Sequence, residues 1–290
     1  MSKLLCINTV AGMQTSADAW RSEGVSIGLV PTMGFLHEGH LSLVDHSLKN
    51  ADRTVVSIYV NPLQFGPQED FSIYPRDIER DIAMLAQRGV DAVFKPRTEE
   101  FYPADFSTSV EVTELTESLC GALRPGHFRG VTTVVSKLFA AVKPHIAIFG
   151  QKDYQQSAVI RRLVRDLNMD LRIEIAPTVR EADGLAMSSR NVNLTEDERN
   201  RAPALYRALA QGKQRIEQGQ HDACRIRDEI RDYIVTELGG TIDYISIVHP
   251  DTLEAIPVIS GPVVIILAVR LSQVRLIDNI SAVPPIKKGA

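Results

Sequence analysis

The chain is short of the features that mark several common protein classes. Its 290 residues hold no G-x-x-x-x-G-K-[ST] loop and no G-x-G-x-x-G fingerprint, and a G-x-S-x-G elbow is not expected either, so P-loop NTPase, dinucleotide-dependent dehydrogenase and hydrolase readings lose their support. It has only three cysteines, Cys6, Cys120 and Cys224, with no C-x-x-C pair. An odd, scattered set of this kind fits a reducing compartment and small buried or half-buried thiols. Long hydrophobic runs are missing too. The longest, Val263 to Val269, falls far short of the roughly 20 residues of a membrane-spanning helix and reads as a buried strand. Met1 to Val10 lack the apolar stretch and small-residue cleavage pattern of an export signal, so a cytoplasmic protein without membrane attachment is expected. A net charge of −4 supplies no global attraction to a polyanion, so nucleic acid is not an expected partner and phosphate must be bound by a local donor cluster.

What is present is ordinary in composition and informative in pattern. With 44% hydrophobic and 23% charged residues the chain is globular rather than disordered. Short apolar runs at Val25 to Val30, Thr54 to Val60, Ala92 to Lys95 and His145 to Phe149 each precede Gly or Pro, as buried parallel strands do when helices cover both faces of their sheet. Between them, Arg76 to Arg88 place Ile78, Ile82 and Leu85 at helical spacing and stop at Gly89. The expected fold class is therefore α/β, a Rossmann-like doubly wound parallel sheet over residues 1–178. From about Val179 the texture changes. Thr195 is a plausible cap for a helix running through Leu205 and Leu209, followed by a charged helix Asp222 to Leu238 and strands near Tyr244 to Val248 and Val263 to Val269. That predicts a smaller C-terminal α+β domain over 179–290.

Three segments carry chemistry. Pro31-Thr32-Met33-Gly34-Phe35-Leu36-His37-Glu38-Gly39-His40 follows a strand and enters a helix, where a tight glycine turn, free helix N–H groups and two histidines three apart suit a phosphate. Zinc is disfavoured, because H-E-x-x-H places its histidines four apart. Capping of the helix by the two histidines is the plain structural alternative. Phe149-Gly150-Gln151-Lys152-Asp153-Tyr154-Gln155-Gln156 also follows a strand. There Lys152 offers a compact positive charge and Gln156 polar contacts, while Asp153 serves equally as a helix cap. Met187-Ser188-Ser189-Arg190, after Val179 and the Asp183-Gly184 turn, forms an anion clamp or a simple serine cap. Gln64, in Asn61-Pro62-Leu63-Gln64-Phe65 after a strand, and the basic loop Arg124 to Gly130 are secondary candidates, as are Asp77 and Asp81, four apart on a helix and able to hold Mg²⁺ through water.

These motifs, in this order and over essentially the whole length, resemble the pantothenate synthetase (pantoate–β-alanine ligase) family, and His37 and His40 match the His-x-x-His signature of the wider nucleotidylyltransferase superfamily. The resemblance implies ATP-dependent joining of pantoate and β-alanine through a pantoyl-adenylate, with release of AMP and pyrophosphate. It implies ATP contacts from Met33, Gly34, Phe35, Leu36, His37, Glu38, Gly39, His40, Gly150, Gln151, Lys152, Asp153, Val179, Met187, Ser188, Ser189 and Arg190, with His40 in the proton-donor position. His37, Lys152, Ser188, Ser189 and Arg190 would stabilise charge on the departing pyrophosphate. Gln64, Gln156, Arg124, His127 and Tyr74 would hold substrate, Asp81 would lie near Mg²⁺, the smaller domain would close over the active site, and the protein would be a homodimer. Phe35 and Gln151 depart from the small residue and the glutamate that many relatives carry. The rival expectations are a nucleotidylyltransferase, which would retain the nucleotide in its product, and an idle synthetase-like RNA-binding module.

Overall fold

The computed structural model describes residues 4–67 and 69–285. Its internal contacts divide the chain into two compact units. One comprises Met1–Glu117, Arg124–Gln151 and Gln156–Thr178; the other comprises Ser118–Leu123, Lys152–Gln155 and Val179–Ala290.

In the first unit the chain runs β1 (Leu5–Ile7), α1 (Val10–Ser22), β2 (Ile27–Thr32), α2 (Glu38–Asn50), β3 (Arg53–Ile58), α3 (Ile78–Gln87), β4 (Ala92–Phe94) and α4 (Thr98–Phe101). After the short α5 (Cys120–Leu123), which clusters with the other unit, come α6 (His127–Val142), β5 (Ile146–Gly150), α7 (Tyr154–Asp166) and β6 (Arg172–Ala176). Among the described residues the six strands form one sheet in the order β1-β4-β3-β2-β5-β6, and every pairing is parallel. The doubly wound sheet expected from the sequence is thus found. Helices cover both of its faces, so β2 and β3 are buried almost throughout and their sequences run apolar without alternation. Helix α2 lies so close to β2 that a β-carbon on Gly28 would fall 2.2 Å from Ser47 Oγ, whose hydroxyl pairs with Thr54 Oγ1 at 2.8 Å. β3 lies on one side of β2 and β5 on the other. The carboxyl ends of β2 and β5 therefore flank the point where strand order reverses, the usual ligand position of such sheets.

The second unit holds α8 (Glu196–Arg201), α9 (Ala204–Glu217), α10 (Ala223–Glu237) and an antiparallel sheet β7 (Thr241–Val248), β8 (Val263–Leu271), β9 (Val274–Ala282) in the order β7-β8-β9. Leu205, Leu209, Ile230, Ile265 and Leu267 lie in its core. The single helix expected from Glu196 through Leu209 is two helices, because Pro203 stands between them and lacks the N–H that would continue the ladder.

Two further expectations are corrected. Cys6 and Cys224 are exposed, one on edge strand β1 and the other in the first turn of α10, and only Cys120 is buried. Gly24-Val25-Ser26-Ile27-Gly28 matches the G-x-S-x-G elbow of α/β-hydrolases. That elbow needs its serine on a turn after a strand. Ser26 instead precedes β2, and its hydroxyl donates to Asp52 Oδ2 at 2.6 Å.

Candidate active site

The loop that leaves β2 owes its shape to a buried carboxylate. Gly34 has φ +86° and Phe35 φ +50°, a left-handed pair that glycine adopts freely and phenylalanine does not. Asp81, reaching in from α3 and only 1% exposed, accepts the Phe35 N–H at 2.7 Å on Oδ2 and the Leu36 N–H at 2.8 Å on Oδ1. Burial pushes its carboxyl above the ordinary range although these N–H groups favour the charged form. Arg80 completes the brace, donating from Nη2 to the Leu36 carbonyl with its guanidinium 5.3 Å from the centre of the Phe35 ring. Asp77, the other acid of this helix, caps α3 by accepting the Arg80 N–H.

The braced loop delivers His37 and His40 to the start of α2. His37 is the N-cap, and its Nδ1 accepts the Gly39 N–H at 3.1 Å. His40 Nδ1 accepts the His37 N–H at 3.4 Å, and the two ring centres stand 4.1 Å apart. The capping alternative is therefore realised, and it has a chemical consequence. With both Nδ1 atoms accepting, each neutral imidazole carries its proton on Nε2, so both rings are hydrogen-bond donors without needing to be cationic. Two such donors at a helix N-terminus form an anion-binding arrangement. Glu38 is exposed and pairs with Arg88 at 3.0 Å.

After β3 the chain makes a 3-10 turn, Pro62–Gln64, capped by Asn61. Gln64 Nε2 lies 3.2 Å from Met33 Sδ, so the β2 and β3 segments meet there. The turn rests on α6 at Gly130, where a β-carbon would fall 2.3 Å from the Leu63 carbonyl oxygen. Arg124 and His127 grip the same turn from the start of α6. Arg124 donates to Glu69 through Nε and Nη2 at 2.6 Å each and reaches His127 Nε2 at 3.0 Å, while His127 Nδ1 donates to the Gln64 carbonyl at 2.8 Å. Burial works against the charge on Glu69, but hydrogen bonding to Arg124 and its charge prevail and hold the carboxyl below its ordinary range. Tyr74 is buried with its ring beside Phe65. Gln156 is half-buried near the start of α7. A β-carbon on Gly150, at the end of β5, would meet nothing within 4 Å, so the packing of the described residues does not require that glycine.

In the second unit the Lys152 carbonyl accepts from Asn279 Nδ2 at 2.9 Å. Its neighbour Asp278 forms a bidentate pair with Arg180, at 2.6 and 2.9 Å. Val179 O accepts the Met187 N–H at 3.0 Å, which brings the two expected ATP residues of that segment together. Ser188 caps a 3-10 turn, Ser189–Asn193, by accepting the Arg190 N–H at 3.3 Å, and Ser189 is buried. Lys152 and Ser188 line one small cavity with Arg275 and Asp278. Gln151 and Asp153 lie in the 3-10 turn Gln151–Asp153 that leads into α7.

Asn61, which caps the turn that carries Gln64, was not singled out from sequence, although an Asn-Pro step directly after a strand was a readable signal. For magnesium the residues present do not build a protein cage. Asp81 has both oxygens engaged by backbone, and among the described residues no group of three His, Cys, Asp or Glu could hold a metal ion.

Comparison with known proteins places the chain in a family. The sequence profile of the pantoate–β-alanine ligase family matches residues 5–281. The chain is 53% identical over 274 residues to the pantothenate synthetase of Acetivibrio thermocellus, covering 94% of this chain and 98% of that one. It is 54% identical to the pantothenate synthetase of Moorella thermoacetica, covering 94% and 97%. Its fold superposes on the crystal structure of the Thermus thermophilus pantothenate synthetase with a TM-score of 0.90 at 44% identity, covering 96% and 99%. The pantoate–β-alanine ligase of Francisella tularensis, solved with β,γ-ATP and β-alanine, gives a TM-score of 0.79 at 33% identity, covering 96% and 97%. The chain is a member of the pantoate–β-alanine ligase family.

Proposed function

We propose that this enzyme uses ATP to join pantoate to β-alanine, forming pantothenate through a pantoyl-adenylate and releasing AMP and pyrophosphate. A carboxylate resists attack by an amine because its leaving group would be oxide; transfer to AMP replaces that with a good leaving group. On this reading the pantoate carboxylate attacks the α-phosphorus of ATP. His37 and His40 donate from Nε2 to phosphoryl oxygens, with His40 as proton donor, and Lys152 neutralises charge as it develops. Ser188, Ser189 and Arg190 follow the departing pyrophosphate. Gly34, Gly150, Gln151, Asp153, Val179 and Met187 contribute to the ATP cradle, while Gln64 and Gln156 hold pantoate. The amine of β-alanine then attacks the acyl carbon and expels AMP. Little covalent catalysis is needed; positioning and fixed donors carry the rate.

The observation that carries the proposal is the pair of capping histidines, tautomerically set as donors beside the sheet's reversal point. Support for the substrates comes from the Francisella ligase, solved with a nucleotide and β-alanine. Mg²⁺ belongs to this reading as the counter-ion of the triphosphate, a hard cation that keeps most of its waters, and Asp81 acts on the loop rather than as an open ligand. A cytoplasmic homodimer is part of the same reading; among the described residues no helix is long and apolar enough to cross a membrane. The test is an assay of AMP and amide formation with ATP, Mg²⁺, pantoate and β-alanine, each omitted in turn. Pantothenate and AMP should appear only in the complete mixture. A product that retains the nucleotide would overturn the proposal in favour of nucleotidyl transfer.

A further inference from the structure

The two ends of the Gln64 amide have partners of unequal strength. Its Oε1 accepts from Asn61 Nδ2 at 3.2 Å, whereas its Nε2 points to the sulfur of Met33, a weak acceptor. Which end faces Met33 depends on Asn61. That side chain is 1% exposed, and its Nδ2 also donates to the Gly130 carbonyl at 3.0 Å. A carbonyl can only accept, so the Asn61 amide nitrogen must face Gly130, and Oδ1 must face the other way. There it accepts the hydroxyl of Tyr102 at 3.0 Å and the Leu63 N–H at 3.4 Å. Rotating the Asn61 amide would set oxygen against the Gly130 carbonyl and against Gln64 Oε1. Gln64 would then have to rotate too and offer an oxygen where it now offers an N–H.

Tyr102 is itself firmly held. Its ring packs edge-on against Phe101 at 5.6 Å and Phe106 at 4.9 Å, lies 6.2 Å from Tyr59, and has the Lys137 ammonium 5.3 Å from its centre. The Lys137 ammonium also stands over Phe101 and Phe106, so it braces the whole aromatic group. Burial, and secondarily Tyr59, push the Tyr102 hydroxyl far above the ordinary range for a phenol, so it stays a donor at any working pH.

We propose that Tyr102 is a positioning residue for the carboxylic acid substrate: its hydroxyl holds Asn61 in the orientation that the Gly130 carbonyl sets, and Asn61 in turn holds Gln64 with Nε2–H available to meet a carboxylate or hydroxyl oxygen. The inference rests on the assignment of Gln64 to pantoate. Tyr102 touches no reacting atom and works through two amides.

The experiment is steady-state kinetics of full-length Tyr102→Phe, which keeps the ring, its aromatic neighbours and the Lys137 contact and loses only the hydroxyl. The pantoate KM should rise about 3- to 10-fold, the size of one net hydrogen bond, with ATP KM and kcat unmoved. In a Gln64→Ala background the same substitution should change pantoate kcat/KM no further. An unshifted pantoate KM, an equal rise in ATP KM, or full additivity with Gln64→Ala would overturn the relay alone, given a wild type that makes AMP in a pantoate-dependent way. A wild type without pantoate-dependent AMP formation would overturn the relay and the function together.

Discussion

Among the described residues each unit contains a reciprocal helix cap, and the two differ in material. At α8 Thr195 and Glu198 do it in the ordinary way: Thr195 Oγ1 accepts the Glu198 N–H at 3.3 Å and Glu198 Oε2 accepts the Thr195 N–H at 2.9 Å. At α2 the same two places are filled by His37 and His40, with bonds of 3.1 and 3.4 Å through imidazole nitrogens. Imidazole is no better a cap than a hydroxyl and a carboxylate. On the proposed function the α2 histidines are explained by what their other nitrogens do, and the α8 pair by stability alone.

That contrast breaks most easily at its chemical end. His40→Ala and Lys152→Ala should each lower adenylate formation by about 10²-fold or more while circular dichroism and Tm stay near wild type; near-normal turnover in either would contradict the assignment. His37→Ser separates cap from chemistry in one residue. Serine is a good N-cap, so Tm should hold or rise while activity falls on the same scale. Gly130→Ala, which drives a β-carbon into the Leu63–Gln64 backbone, should cost about 1–3 kcal/mol of stability, measured by denaturant melts, and raise the pantoate KM. Thr195→Ala should be the mirror image of His37→Ser, costing about 1 kcal/mol and about 2–4 °C in Tm with kcat unchanged.

The smallest effect is a pH dependence at the Gln64 turn. Glu69 has a folded pKa below its ordinary 4.5, so the unfolded chain takes up its proton first as pH falls. Its contribution is fully present above about pH 4.5 and is lost as pH drops through the folded value. Glu69→Gln should lower Tm across the neutral region, where that contribution is present, and converge on wild type at acid pH, so that the fall of Tm on the acid side becomes shallower.

Local signals carried the fold a long way. The runs that became β2, β3, β5 and β8 are apolar because both their faces are covered, and Thr195 marked its helix start as Ser and Thr caps do. β1, only three residues long, and β6, Arg-Ile-Glu-Ile-Ala, offered too little apolar length to stand out. The Pro203 break was legible and overridden by the apolar spacing of Leu205 and Leu209. For the proposed site, the histidines, Gln64, Lys152 and the Ser188–Arg190 segment could be named as candidates because each follows a strand or turn in the chain. What Asp81 does was not, since 46 residues separate it from the Phe35 N–H it accepts. Tyr102 and Asn61, 41 residues apart, are joined by tertiary packing alone.

The central claim is that pantoate is adenylated before β-alanine takes part. Exchange of labelled pyrophosphate into ATP measures that step by itself. The enzyme should catalyse exchange with ATP, Mg²⁺ and pantoate and no β-alanine, and His40→Ala should abolish it. Exchange that required β-alanine, or pantothenate synthesis without any exchange, would contradict the account.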